Sequence, residues 1–332
     1  MSGPDAPRGQ TMRALSGRTV LVTGASGFVG PHLAAALHGG GARVVGLAAG
    51  SAPEAPLDGW HDADLLDADA LARAVAATAP RAVIHLAGQS SAARSFEQPV
   101  ETFRLNVTGT WNLLEAVRRH APAARTLVVG SGEAYGPQPE GSRVAEDMPF
   151  RPVSPYALSK AAADALAELH GATHGLEIVR TRSFGHTGPG QDARFVVPAF
   201  ARQIAAIEHG EAEPVLRVGN LEVTRDLTDA RDVARAYVLL LERGRAGEAY
   251  NVCRGEGVRL AEVARALVAR ARRPIRIEVD PTRLRPADVP WLVGDGGKLE
   301  HDTGWRPEIA LERTLEEVLE QWRGRTEGRG GG

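Results

Sequence analysis

The sequence predicts a doubly wound α/β fold, a parallel sheet covered by helices on both faces, followed by a smaller and less regular α/β lobe. Three observations predict it. From Thr19 onward, short β-branched apolar runs with no polar face alternate with helical patterns. A glycine-rich turn follows the first run and opens a helix. Beyond about residue 185 the alternation gives way to Gly- and Pro-rich loops with isolated amphipathic helices.

The runs at 19–23, 43–47, 82–86 and 126–129 read as buried parallel strands, and 176–180 adds another after a long helix. Between them, 28–37, 68–78, 108–120 and 155–174 carry helical spacing. In the second half, Leu260, Val263, Ala264, Leu267 and Val268 line one helical face, and Leu311, Leu315, Val318, Leu319 and Trp322 line another. The expected organisation is a dinucleotide-binding core over 19–184 and a substrate lobe over 185–323 with some segments returning to the core. Residues 1–18 and 324–332 read as disordered tails, and the first of these lacks the apolar centre of a signal peptide.

Composition narrows the function. The 39 basic and 41 acidic side chains leave a net charge of −2 with no basic stripe, which argues against a nucleic-acid partner. No run reaches the roughly 18 apolar residues of a membrane helix. Cys253 is the single cysteine and has no intrachain partner, so a reducing cytoplasm is expected.

The first chemical signal is Thr23-Gly-Ala-Ser-Gly-Phe-Val-Gly30, directly after strand one. Gly24 permits the tight turn, Gly27 lets the backbone approach a pyrophosphate at the helix N-terminus, and Gly30 lets helix and strand pack closely. This is the GxxGxxG spacing. After the second strand stand Ala48 and Ala49, neither an acid for the ribose hydroxyls of NAD nor an arginine for the phosphate of NADP, although Ser51 could donate to one. Asp64 and Leu65, after the expected third strand, fit an adenine contact by position.

Ser154-Pro-Tyr-Ala-Leu-Ser-Lys160 is the sharpest signal. Ser154 as N-cap and Pro155 at the first position start a helix, so Tyr156 and Lys160 share a face. An ammonium beside the phenol is expected to lower its pKa from about 10 and let the pair pass a proton to or from a carbinol oxygen. Of the 39 basic residues 37 are arginine, and one of the only two lysines stands here. An arginine fork has different reach and hydrogen-bond geometry. Ser131, at a strand's carboxyl end, is placed to hydrogen-bond a substrate carbonyl.

TGASGFVG, HLAGQSS, SGEAYG and YALSK together resemble the extended short-chain dehydrogenase/reductase family of nucleotide-sugar enzymes, over about 19–323. The segments at 182–191, 219–221, 225–226 and 284–289 are most similar to GDP-4-keto-6-deoxy-mannose reductases and GDP-mannose 4,6-dehydratases. The resemblance implies catalysis by Ser131, Tyr156 and Lys160, and NADP(H) or NAD(H) held by Gly24, Gly27, Phe28, Val29, Gly30, Asp64, Leu65, Leu86, Ala87 and Gly88 together with Tyr156 and Lys160. It implies a GDP-linked sugar facing Gln89, Ser90, His186, Val196, Asn220, Arg225, Arg285 and Asp288, with both arginines on the pyrophosphate and Asp288, usually Glu, on a ribose.

Gly185 replaces a family Asn, which removes a ligand hydrogen bond and is expected to open space beside the sugar. Glu133 stands where the 4,6-dehydratases keep the base that removes the C5 proton, and similar reductases retain it too. Reduction of a C4 ketone is the leading expectation, with 4-epimerisation and dehydration open beside it and a non-enzymatic dinucleotide sensor as the alternative of another class. The resemblance also implies a homodimer pairing helices near 98–120 and 155–174, where Trp111 is either core or interface.

No metal site is expected. His170 and His174 are four apart but lack the Glu of HExxH and a nearby third ligand, and read as a surface pair. Cys253 reads as a buried small hydrophobe.

Overall fold

The computed structural model describes residues 15–284 and 288–327. Its strands are Thr19–Thr23 (β1), Arg43–Ala48 (β2), Gly59–Asp62 (β3), Ala82–His85 (β4), Arg125–Ser131 (β5), Ile178–Ser183 (β6), Gly185–Thr187 (β7), Val215–Val218 (β8), Thr224–Asp229 (β9), Ala249–Val252 (β10), Gly257–Arg259 (β11), Arg276–Val279 (β12) and Trp291–Leu292 (β13). The α-helices are Val29–Gly39 (α1), Ala68–Thr78 (α2), Ala92–Glu97 (α3), Pro99–Phe103 (α4), Gly109–His120 (α5), Pro155–His174 (α6), Val196–Glu208 (α7), Ala230–Arg243 (α8), Leu260–Val268 (α9), Gly297–Thr303 (α10) and Leu311–Glu327 (α11).

A wholly parallel sheet runs in the order β10-β6-β5-β4-β1-β2-β3. Strand order reverses between β1 and β4, and open α/β sheets bind ligands beyond the carboxyl ends of such a pair. Helices cover both faces because the inner strands are apolar on both sides. Leu33 and Leu37 of α1 meet Val233, Tyr237 and Leu240 of α8 on one face. On the other, Leu71 and Val75 of α2 meet Leu113 and Val117 of α5. The sheet is thus completed by β10 and α8 from the second half of the chain.

The remaining strands form two small sheets: β9 pairs with β7, β11 and β13, and β8 pairs with β12. Helices α7, α9 and α11 enclose their own apolar cluster, including Ile204, Leu216, Leu267 and Leu319.

Of the tails expected to be disordered, 1–14 and 328–332 lie outside the described residues, whereas Leu15 is buried in the core and α11 continues to Glu327. Two element boundaries also differ notably from the sequence expectation. Strand β6 starts at Ile178 and continues past Arg180 to Ser183 through Arg182, a charged residue that hides its end from an apolar-run reading. Asp164 of α6 makes the burial of both arginines tolerable, accepting from Arg180 at 2.7 Å and from Arg182 Nε at 3.2 Å. The helix expected from 108 is preceded by α4 and by a π-helical turn over Arg104–Thr108. Such turns re-aim side chains and recur at functional sites.

Helix α6 follows its sequence signals. Ser154 accepts from the Ala157 amide at 3.1 Å, Pro155 occupies the first turn, and Gly175, with φ of 67°, closes the helix.

Candidate active site

The glycine turn leaves no room for side chains. A Cβ on Gly24, whose φ is +69°, would lie 2.7 Å from the Ala87 backbone, and one on Gly30 would lie 2.1 Å from the Ala25 carbonyl oxygen. Gly24, Gly27, Phe28 and Val29 line a cleft of about 760 Å³, whereas Gly30 lies outside it and lets α1 pack on the turn. Bare main chain at a helix N-terminus fits a dinucleotide pyrophosphate. Asp64, Leu65, Leu86, Ala87 and Gly88 line the same cleft, as do Ala48 and Ala49.

Ser131, Glu133, Tyr156 and Lys160 also face this cleft. Ser131 ends β5, and its hydroxyl accepts from the Glu133 amide at 3.2 Å. Tyr156 is nearly buried, and its phenol is pushed well up, first by burial and then by the Glu133 carboxylate, while hydrogen bonding to Ser131 pulls it down. The expected lowering by Lys160 is not what the structure shows. The Lys160 ammonium instead donates to the Val129 carbonyl at 3.0 Å, and burial draws its pKa down to about 8. Tyr156 is therefore a protonated phenol at neutral pH, suited to giving a proton.

A buried polar network that the sequence reading missed fixes this arrangement. Asn106, in the π-helical turn, accepts from the Gln89 amide at 2.8 Å and donates to the Gln89 carbonyl at 3.0 Å and to Ser159 Oγ at 2.9 Å. Ser159 in turn donates to the Tyr156 carbonyl at 2.8 Å. Below it, His85 bridges Thr23 Oγ1 at 2.7 Å and Thr110 Oγ1 at 3.0 Å. Burial, and secondarily the Lys160 charge, hold this imidazole neutral, with a pKa of about 3. The glycine turn, the loop after β4 and α6 are thereby tied together.

Gln89, Ser90, His186, Val196, Asn220, Arg225 and Asp288 all line the cleft, while Arg285 lies outside the described residues. The Gln89 side chain is spent on its own loop, donating to Ser91 O at 2.9 Å and Thr102 Oγ1 at 3.0 Å. His186 stacks on Phe28 with centroids 6.0 Å apart, over the glycine turn. Arg225 donates to the carbonyls of Thr224 and Val289, next to Asp288. Arg194, Arg217 and Arg283 line the cleft as well. Scattered along the chain without a motif, these three arginines carried no signal in the sequence.

Gly185 lines the cleft, but its Cβ side is closed: a Cβ would stand 2.6 Å from Asp226 O and 3.0 Å from Leu227 Cδ2. The close pairing of β7 with β9 requires the glycine, so the space expected on that side is filled by β9. His170 is not half of a surface pair, being 1% exposed. Cys253 is buried, just beyond β10.

A family model described as GDP-mannose 4,6 dehydratase matches residues 21–318. The chain belongs to this family. It is thus an extended short-chain dehydrogenase/reductase. It is 38% identical over 307 residues to GDP-6-deoxy-D-mannose reductase of Pseudomonas aeruginosa, covering 92% of this chain and 97% of that one. The structure of RMD from Pseudomonas aeruginosa complexed with NADPH superposes with a TM-score of 0.81 at 36% identity, covering 93% of this chain and 99% of that one. UDP-glucose 4-epimerase of Thermus thermophilus, in complex with NAD, gives a TM-score of 0.82 at 34% identity over 92% and 99% of the two chains. Among the described residues, no helix is long and apolar enough to cross a membrane.

Proposed function

We propose that this family member reduces the C4 ketone of a GDP-linked 4-keto-6-deoxyhexose, giving a GDP-rhamnose-type product. The observation that carries this reading is the near full-length similarity to a GDP-6-deoxy-D-mannose reductase, joined to the placement of Tyr156 and Ser131 in the cleft that holds the glycine cradle. Reduction ends with a proton delivered to an alkoxide, which the Tyr156 phenol supplies.

Bound NADPH or NADH supplies the hydride. Gly24, Gly27, Asp64 and Ala87 would hold it, and Lys160 would reach its ribose. Ser131 Oγ orients the ketone by donating to its oxygen, and Tyr156 Oη gives that oxygen its proton. Asn106 keeps α6 and the Gly88–Gln89 backbone in register through three hydrogen bonds.

At the other end, Arg225 lines the cleft for a pyrophosphate, with Arg194, Arg217 and Arg283, each paired to a carboxylate, along the same wall, and Asn220 presents an amide for a base. Glu133 on the cleft wall keeps GDP-mannose 4,6-dehydration as the second reading.

The buried lone cysteine suits a reducing cytoplasm. Exposed Trp111 on α5, Leu158 and Leu169 on α6, Phe96 on α3 and Val100 on α4 supply the apolar faces of a homodimer. A binding panel of GDP-, UDP- and dTDP-linked sugars tests the substrate reading: GDP ligands should bind tightest, and equal affinity across bases would overturn the guanine assignment.

A further inference from the structure

The structure supplies His170 and His174 with the third ligand that the sequence spacing lacks. Glu115 of α5 faces the α6 pair, and one ligand atom from each of Glu115, His170 and His174 lies within 4.8 Å of the others. His170 is 1% exposed, and neither its Nδ1 nor its Nε2 has a hydrogen-bond partner. Leaving a buried polar atom unpaired costs about 1–3 kcal/mol, so such a group in a native fold asks for an explanation. Trp111 packs its ring edge-on against His170 at 4.7 Å and screens it from water. His174 is exposed in the last turn of α6, where the helix carbonyls favour a cation.

We infer that Glu115, His170 and His174 form a zinc-type divalent-cation site, two imidazoles and a carboxylate with a fourth position left for water, beside the Trp111 and Leu169 face proposed for the homodimer. A tetrahedral ion with bonds of about 2.0–2.1 Å needs donors roughly 3.3 Å apart. Rotation of the exposed His174 and part-exposed Glu115 side chains closes the difference, while His170 stays fixed by burial. Arg118 and Arg119 already pair with Glu115 at 2.9 and 3.1 Å. They compete with an incoming cation, so the affinity is modest and is set partly by them. None of the three ligands lines the catalytic cleft, and the site is independent of the proposed reduction.

The test is titration of tag-free, chelator-treated full-length protein with Zn²⁺ against a chromophoric chelator, with Co²⁺ spectra to report geometry. One ion per chain is expected, with tetrahedral Co²⁺ bands. His174→Ala, at an exposed position, should weaken Zn²⁺ binding at least tenfold with turnover unchanged. Arg119→Ala should tighten it several-fold by removing a competing cation. Binding unaffected by His174→Ala, weakened by Arg119→Ala, or well below one ion per chain would overturn the site.

Discussion

Replacing Tyr156 by Phe removes one oxygen atom and tests whether that atom is the proton donor. The ring stays: Tyr156 is 8% exposed, and Phe fills the same ring volume. Ser131 loses a hydrogen bond but still accepts from the Glu133 amide at 3.2 Å, so neither partner is left as a fully orphaned buried group. The stability cost should therefore be about 1 kcal/mol or less, that of one net hydrogen bond. The cleft walls at the glycine turn are untouched, so cofactor affinity should change by less than about threefold, which is under 1 kcal/mol. Loss of an acid-base group costs turnover about 10² to 10⁴, or ~2.7 kcal/mol and upward in the barrier. Three measurements on one variant separate these effects: thermal unfolding, cofactor titration by fluorescence, and steady-state ketosugar reduction. Turnover above about a tenth of the parent's, with the fold intact, would remove Tyr156 from the proton path.

Two further perturbations read the other groups. Burial brings Lys160 to about 8, so its ammonium is present below that pH and lost above it. kcat/KM for the cofactor should fall roughly tenfold per pH unit above about 8, and a flat profile to about pH 9.5 would contradict the assignment. The phenol adds no limb there because its own pKa is raised. Glu133→Gln removes the charge that helps hold Tyr156 protonated, yet burial, the larger cause, remains. Ketosugar reduction should therefore survive within about tenfold, whereas a loss of 10² or more accompanied by lost C5 deuterium exchange would identify a dehydratase.

The local parts of this molecule were legible in the sequence, and the parts assembled across distance were not. β1, β2 and β4 announce themselves because strands buried on both faces need continuous apolar side chains. The glycine turn and the Tyr156–Lys160 pair are legible because each is fixed by neighbours within one turn or helix. The end of strand β6 is not legible because Arg182 is buried only by courtesy of Asp164, on another element. Asn106 looks ordinary until a π-helical turn aims it at Gln89 and Ser159. The cleft arginines at 194, 217 and 283 converge only when the second lobe folds. The influence of Lys160 on Tyr156 is not legible for a related reason: a shared helix face does not say which carbonyl the ammonium will choose, and here it is Val129. Glu115 meets His170 and His174 only through the packing of α5 on α6.

The most direct measurement of the central claim is the stoichiometry of cofactor oxidation. A reductase exchanges its cofactor at every turnover, while an epimerase or a dehydratase regenerates the one it holds. Purified enzyme, excess NADPH or NADH and a known amount of GDP-4-keto-6-deoxymannose should lose reduced-nicotinamide absorbance in a one-to-one ratio with the ketosugar consumed. No absorbance loss with the ketosugar, together with turnover of plain GDP-mannose without net cofactor consumption, would contradict the account.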